Sequence, residues 1–275
     1  MIKLIALDMD GTLLNAEKQI SERNCKAIKS AKDAGIKVIL ASGRPRTGLQ
    51  KYLEQLGLTS AEDFVVSYNG SLVERVANNE VLHQTSLKGT DVKAVFVLSQ
   101  DLGIDIHAFS VKQGLITHQN NPWTDIEAQL NGIDSTVIDF NTIDDNEDFI
   151  KVMLVAADKE LTEAIYKIPV SLKENYTVVR SADIFLEVLH PDSNKGVAVE
   201  KLCEELDLNA NEVMCVGDAE NDHAMLSFAG MAVAMGNADE ITKAMCNYVT
   251  KSNIEDGVAI AIEEKALHPL LSSVS

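Results

Sequence analysis

The run Leu4-Ile5-Ala6-Leu7-Asp8-Met9-Asp10-Gly11-Thr12 constrains this chain more than any other stretch. An apolar run of strand length ends in two aspartates two apart, and a glycine follows at once. Side chains alternate across a strand, so Asp8 and Asp10 are expected to lean to the same face if extended geometry persists. Carboxylates that close repel, and neither stays ionised cheaply at neutral pH unless a cation lies between them. Gly11 permits a sharp turn that brings backbone amides toward an anionic ligand.

Beyond that turn the pattern predicts a helix from Ile20-Ser21 to about Ala34, with Ser21 as its N-cap and Gly35 as its stop. A second buried strand, Lys37–Ala41, ends at Ser42-Gly43-Arg44-Pro45. Leu49, Tyr52, Leu53 and Leu56 then recur at helical spacing. Phe64–Tyr68 reads as a third strand, and Asn69-Gly70 as a two-residue hairpin turn into Leu72-Val73. Strand, helix, strand, helix, strand is the order of a parallel sheet with helices on its faces.

Near residue 83 the character changes to several strands with helices interspersed, and it changes back near 189. The expected architecture is therefore α/β: a Rossmann-like doubly wound parallel sheet core, residues 1–82 and 189–275, with an α+β domain inserted over 83–188. Within the insertion, Ile138–Asp148 is acid-rich and is expected to be exposed. The first pattern resumes at Asn194-Lys195-Gly196. The apolar strand Glu212–Val216 follows, closed by Gly217-Asp218-Ala219-Glu220-Asn221-Asp222.

A formal net charge of -18 argues against a general nucleic-acid binder or an anionic-membrane binder, both of which need basic patches. No apolar run reaches membrane-spanning length. Cys25, Cys203, Cys215 and Cys246 are scattered without metal or disulfide spacing, which leads us to expect a reduced, cytoplasmic setting.

In open parallel sheets ligands bind beyond the carboxyl ends of the strands. That rule gathers Asp8/Asp10, Ser42-Gly43 and Asp218 with Asn221-Asp222, and Lys195 opens a helix whose N-terminus also attracts anions. Each of these alone also reads as an ordinary turn, cap or surface lysine. Together and in this order they are far more specific.

On these residues the chain resembles the haloacid dehalogenase superfamily phosphatases of the Cof type, with a type IIB cap, and above all their bacterial sugar-phosphatase members. The matching segments are Asp8-Met9-Asp10-Gly11-Thr12, Ser42-Gly43-Arg44-Pro45, Asn69-Gly70, Asn194-Lys195-Gly196 and Gly217–Asp222. The resemblance implies that Asp8 is the nucleophile that forms an aspartyl-phosphate. Asp10 is implied as the acid that protonates the leaving oxygen and then the base that activates water. Magnesium would be held by an Asp8 carboxylate oxygen, the Asp10 backbone carbonyl and the Asp218 side chain. Ser42, the amides of Met9 and Gly43, Lys195 and Asn221 would hold the phosphoryl oxygens. Asp222 would support the metal's water shell or orient Lys195, and Arg44, Asn69 and Gly70 would help bind substrate. The implied substrate is a small-molecule phosphate ester. A phosphomutase and a phosphate-sensing switch use the same aspartyl-phosphate and stand as alternatives.

Elementary chemistry agrees independently. Phosphate monoester hydrolysis is among the slowest uncatalysed reactions, with enhancements up to ~10²¹, and positioning with charge neutralisation must supply most of it. Three aspartates facing a dianion are untenable without a divalent cation and Lys195. Hard oxygen ligands favour magnesium. Acting as an acid requires Asp10 to start protonated.

Overall fold

The structure is a computed structural model and describes residues 1–268. In chain order its first elements are β1 (Leu4–Leu7), α1 (Glu22–Asp33), β2 (Lys37–Ala41), α2 (Arg46–Gln55), β3 (Phe64–Ser67), β4 (Leu72–Arg75) and β5 (Glu80–Gln84). Then come β6 (Leu87–Lys88), α3 (Gly89–Leu102), β7 (Asp105–Ser110), β8 (Gly114–Thr117), α4 (Pro122–Asn131), β9 (Ser135–Val137) and β10 (Asp148–Val155). These are followed by α5 (Asp158–Ile165), α6 (Val170–Asn175), β11 (Thr177–Ala182) and β12 (Phe185–Leu189). The chain closes through α7 (Lys195–Glu205), β13 (Val213–Gly217), α8 (His223–Phe228), β14 (Met231–Ala234), α9 (Glu240–Ala244), β15 (Tyr248–Val249) and α10 (Gly257–Ala261).

Two compact units form. One joins Met1–His83 to Asn194–Ser275, and the other is the contiguous stretch Gln84–Ser193. Residues 189–193 thus belong to the second unit, because Leu189 still pairs with Thr177 across the β11–β12 ladder.

The first unit is built on one sheet in the order β15-β14-β13-β1-β2-β3-β4-β5. Every pairing from β15 to β3 is parallel, and the β3–β4 pair is antiparallel. Strand alternation sorts the apolar residues into two layers. Ile5, Leu7, Val38, Leu40, Val65, Met214 and Val216 pack on one face with Ile28, Leu53 and Val258. Leu4, Ala6, Ile39, Ala41, Val66 and Cys215 face the other way, against Val199, Leu202 and Met225. A sheet buried on both faces needs helices on both, which is the doubly wound arrangement expected. At β1 the strand order turns back, since β1 has β2 on one side and β13 on the other.

The second unit carries the sheet β11-β12-β10-β7-β8-β9, largely antiparallel, with β6 added beside β10. The acid-rich stretch within it is exposed over most of its length, as expected, apart from two buried apolar residues. Phe140 and Ile143 sit in this unit's core, and Asp148 opens β10 with ion pairing to Lys88. Phe140 and Ile143 anchor the stretch, while Asp139, Asn141, Thr142, Asp144, Asp145 and Asn146 are exposed. His107 is fully buried, with Nδ1 3.0 Å from Thr124 Oγ1 and Nε2 3.1 Å from Met153 Sδ.

Candidate active site

β1 ends at Leu7, and Asp8 still follows the ladder, its amide donating to the Val216 carbonyl at 3.0 Å. Asp8 shares the parity of Leu4 and Ala6, so its side chain leaves on the face that α7 covers. There the first residue of α7, Lys195, presents a fully buried ammonium. The Asn194 side chain caps α7 by accepting from the Val197 amide at 2.9 Å, which fixes where the helix begins. Lys195 Nζ donates to Asp8 Oδ1 at 2.5 Å and to Asp222 Oδ1 at 2.7 Å. The other oxygen of Asp222 accepts from the backbone amides of Asp218 (2.9 Å) and Ala219 (3.3 Å). Both Asp222 oxygens are therefore engaged, one aiming the lysine and the other shaping the loop after β13.

Ligand atoms of Asp8, Asp218 and Asp222 all lie within 4.8 Å of one another. One ammonium cannot neutralise three carboxylates, so the cluster keeps a formal excess of two negative charges. Its effect is visible in acidity. Burial, and then the charges of Asp222 and Asp218, push the Asp8 carboxyl up to about 8 despite the pull of Lys195. Burial also raises Asp218 to about 6, although Thr12 Oγ1 donates to its Oδ1 at 2.8 Å and works the other way. Burial works against the Lys195 ammonium, yet Asp222 and Asp8 raise it above its ordinary value and keep it ionised. A site of hard carboxylate oxygens with two uncompensated charges fits a divalent cation such as magnesium.

Asp10 does not follow Asp8. Extended geometry ends at the turn, where the Thr12 and Leu14 amides return to the Met9 carbonyl and Gly11 takes φ +90°. A Cβ on Gly11 would lie 2.3 Å from Asp218 Oδ2, so the turn needs glycine for both space and conformation. The same-face expectation therefore fails. Arg44 grips the Asp10 carboxylate with two bonds of 2.7 Å, and Lys18 Nζ adds a third of 2.7 Å. Burial would raise this carboxyl, but Arg44 and then Lys18 hold it down to about 2. Asp10 is thus ionised in this conformation, contrary to the expectation of a protonated acid, because two cations reach it from outside its own motif.

The carboxyl end of β2 brings Ser42 and Gly43 beside this turn. Ser42, buried, accepts the Arg44 amide on its hydroxyl at 3.2 Å. Asn69 is buried as well, and the Asn221 side chain donates from Nδ2 to its Oδ1 at 3.2 Å. No two-residue hairpin forms at Asn69-Gly70. Ser67 pairs with Leu72, so the connection runs over Tyr68–Ser71, with positive φ at Tyr68, Asn69 and Gly70.

Reading the motifs misses four contributors, Thr12, Lys18, Asn237 and Asn253. Asn237 Nδ2 donates to the Gly11 carbonyl at 2.9 Å, and Asn253 Nδ2 to the Leu14 carbonyl at 2.8 Å. Gly236-Asn237 does follow a strand of the parallel sheet, and that position was the available signal. The ion pairs of Lys18 and Arg44 with Asp10 are tertiary and carry no local signature. Among the described residues, no helix is long and apolar enough to cross a membrane.

Comparison with known proteins places this geometry in a family. A family model described as haloacid dehalogenase-like hydrolase matches residues 5–262. The Bacillus subtilis protein YxeH is 39% identical over 270 residues, covering 97% of this chain and 99% of that one. The B. subtilis 5-amino-6-(5-phospho-D-ribitylamino)uracil phosphatase YcsE is 35% identical over 267 residues, covering 97% and 96%. A crystal structure of a haloacid dehalogenase-like hydrolase from Bacteroides thetaiotaomicron superposes with a TM-score of 0.83 at 32% identity, covering 96% of this chain and 99% of that one.

Proposed function

Because the chain belongs to the haloacid dehalogenase-like hydrolase family, we propose that it is a magnesium-dependent phosphatase acting on small phosphorylated metabolites, sugar phosphates among them. The inserted unit is read as its cap domain and its setting as cytoplasmic. The observation that carries the reading is the cluster of Asp8, Asp218 and Asp222 around the buried Lys195 ammonium. An anionic substrate can enter such a pocket only when further positive charge balances it. Magnesium, held by Asp8, the Asp10 carbonyl and Asp218, would supply that charge and polarise the phosphoryl group.

In this reading Asp8 attacks phosphorus, the ester oxygen departs with a proton from Asp10, and an aspartyl-phosphate remains. Water then attacks phosphorus and gives its proton to Asp10, which frees Asp8 and inorganic phosphate. Dividing the displacement in two lowers each barrier. Lys195, Ser42, Asn221 and the Met9 and Gly43 amides neutralise and orient the phosphoryl oxygens. Asp10 can deliver a proton only after Arg44 releases it, since the paired carboxylate is ionised. Asp222 holds Lys195 in place.

The test is release of inorganic phosphate from a panel of phosphorylated metabolites, with magnesium and with EDTA. The name of YcsE puts phosphorylated ribityl compounds on that panel beside hexose and pentose phosphates. Release that needs magnesium and disappears in Asp8→Asn supports the proposal. Near-normal turnover in Asp8→Asn refutes the nucleophile, and isomerised product without free phosphate makes the chain a mutase.

A further inference from the structure

Three separate segments of the first unit meet at one unusual turn. After β3, Tyr68, Asn69 and Gly70 take φ of +50°, +55° and +98°. Consecutive positive φ is uncommon, and a tyrosine there is a genuine outlier. Such backbone persists when its surroundings over-determine it, and outliers of this kind cluster at functional sites.

The surroundings are specific. The Tyr68 amide donates to the Arg44 carbonyl at 3.1 Å and the Asn69 amide to the Ser42 carbonyl at 2.9 Å, which ties the turn to the loop after β2. On its other side, a Cβ on Gly70 would lie 2.2 Å from the Asn194 carbonyl oxygen and 2.9 Å from the Lys195 nitrogen. The turn therefore abuts the start of α7. The Asn69 side chain crosses Gly43, where a Cβ would stand 2.9 Å from its Nδ2, and reaches Asn221 on the loop after β13. It is only 3% exposed.

We infer that Asn69 is a positioning residue for phosphate, acting through Asn221, rather than a contact for the leaving group. The inference rests on the reading of Asn221 as a phosphoryl ligand. A primary amide offers two hydrogens on one end and an acceptor on the other. With one Asn221 hydrogen donated to Asn69 Oδ1, the amide plane is set and the second hydrogen is left to donate to an anion. Without that acceptor the amide can turn and offer its carbonyl oxygen to the phosphate, which repels it. The left-handed backbone is what brings Asn69 across Gly43, and the absent side chain at Gly43 makes the room.

A double-mutant cycle on the full chain tests this. Asn69→Gly removes the acceptor while tolerating positive φ better than asparagine does. Inhibition by inorganic phosphate at saturating magnesium, kcat/KM for the best panel substrate and the magnesium half-saturation are measured in wild type, N69G, N221A and the double variant. N69G is expected to weaken phosphate inhibition about three- to tenfold, as for one lost hydrogen bond, with magnesium half-saturation unchanged. In the N221A background it should add less than twofold. Asn69→Ser, with a shorter acceptor, should fall between wild type and N69G, and it serves if N69G folds poorly. Wild-type behaviour of N69G, or full additivity with an impaired N221A, overturns the inference and leaves the site reading intact. A fully active N221A overturns both.

Discussion

Replacing Lys195 with methionine keeps an unbranched apolar stem and deletes one charge. In the metal-free protein that charge is, among the described residues, the ammonium bonded to the cluster, through 2.5 Å and 2.7 Å contacts to Asp8 and Asp222. Removing one partner of a buried ion pair costs about 3–5 kcal/mol, because the other is left buried and uncompensated. Here two pairs break at once and three carboxylates remain within 4.8 Å, which favours the upper end. At about 2–4 °C per kcal/mol for a domain of ordinary size, the midpoint in EDTA at pH 8 should fall by roughly 6–20 °C. Protons or magnesium can substitute for the missing charge, so the loss should shrink at pH 5 and on adding magnesium. Activity with magnesium present should still fall by about 10²–10³, as for a lost transition-state charge donor. Calorimetry at the two pH values, with EDTA and with magnesium, reads the first part, and phosphate release the second. A loss below about 1 kcal/mol at pH 8 in EDTA, or one that neither acid nor magnesium relieves, would refute the charge argument.

Three further outcomes follow from the same geometry. Gly11→Ala places a methyl 2.3 Å from Asp218 Oδ2 at φ +90°; we expect a stability loss of about 1–3 kcal/mol and activity down at least about 10²-fold, and wild-type kinetics would show that the turn is not needed. The Asp8 and Asp218 carboxyls sit above their ordinary value, at about 8 and about 6. A raised carboxyl favours the fold while protonated, so the metal-free protein should lose stability as pH rises from 5 to 8, and a melting series in EDTA that climbs instead contradicts this. Magnesium needs the deprotonated oxygens, so its stabilisation should grow over that window. Arg44→Ala removes the bidentate grip on Asp10, whose carboxyl should rise from about 2. Asp10 acts protonated in the step that forms the aspartyl-phosphate, so the alkaline limb of the kcat/KM profile should then move up by about one pH unit, whereas a raised KM with an unmoved profile would return Arg44 to plain substrate binding.

The strands β1, β2, β3 and β13 of the first unit were legible because a strand buried on both faces leaves a continuous apolar run, whereas the largely exposed β5 and β15 leave none. Lys37–Ala41 has the bounds read from its residues alone. β9 was not legible, since its three residues are all exposed and carry no period. α4 was overlooked although Asn121-Pro122 and Gly132 mark its two ends, with Asn121 capping and Gly132 left-handed. Within the candidate site, the motifs named Asp8, Lys195, Asp218 and Asp222, and the fold brings these together. What no motif announces is which way each side chain turns. Asp10 parts from Asp8 because Arg44 and Lys18, from other segments, outbid the strand's own alternation. Asn69 looked like half of a hairpin turn because Asn-Gly is a local signal, whereas the Tyr68 conformation is imposed by neighbours distant in sequence.

The register of the central strand has a consequence for synthesis. Leu4 pairs with Lys37 on one side but with Val213 on the other, and the whole of Gln84–Ser193 is made in between. As the chain leaves the ribosome, the inserted unit is complete before the strand that flanks Asp8 exists. Until residue 222 has emerged, the first aspartate has no lysine clamped in place and no partner loop. The early segments must wait, half assembled, while a later-made module finishes first.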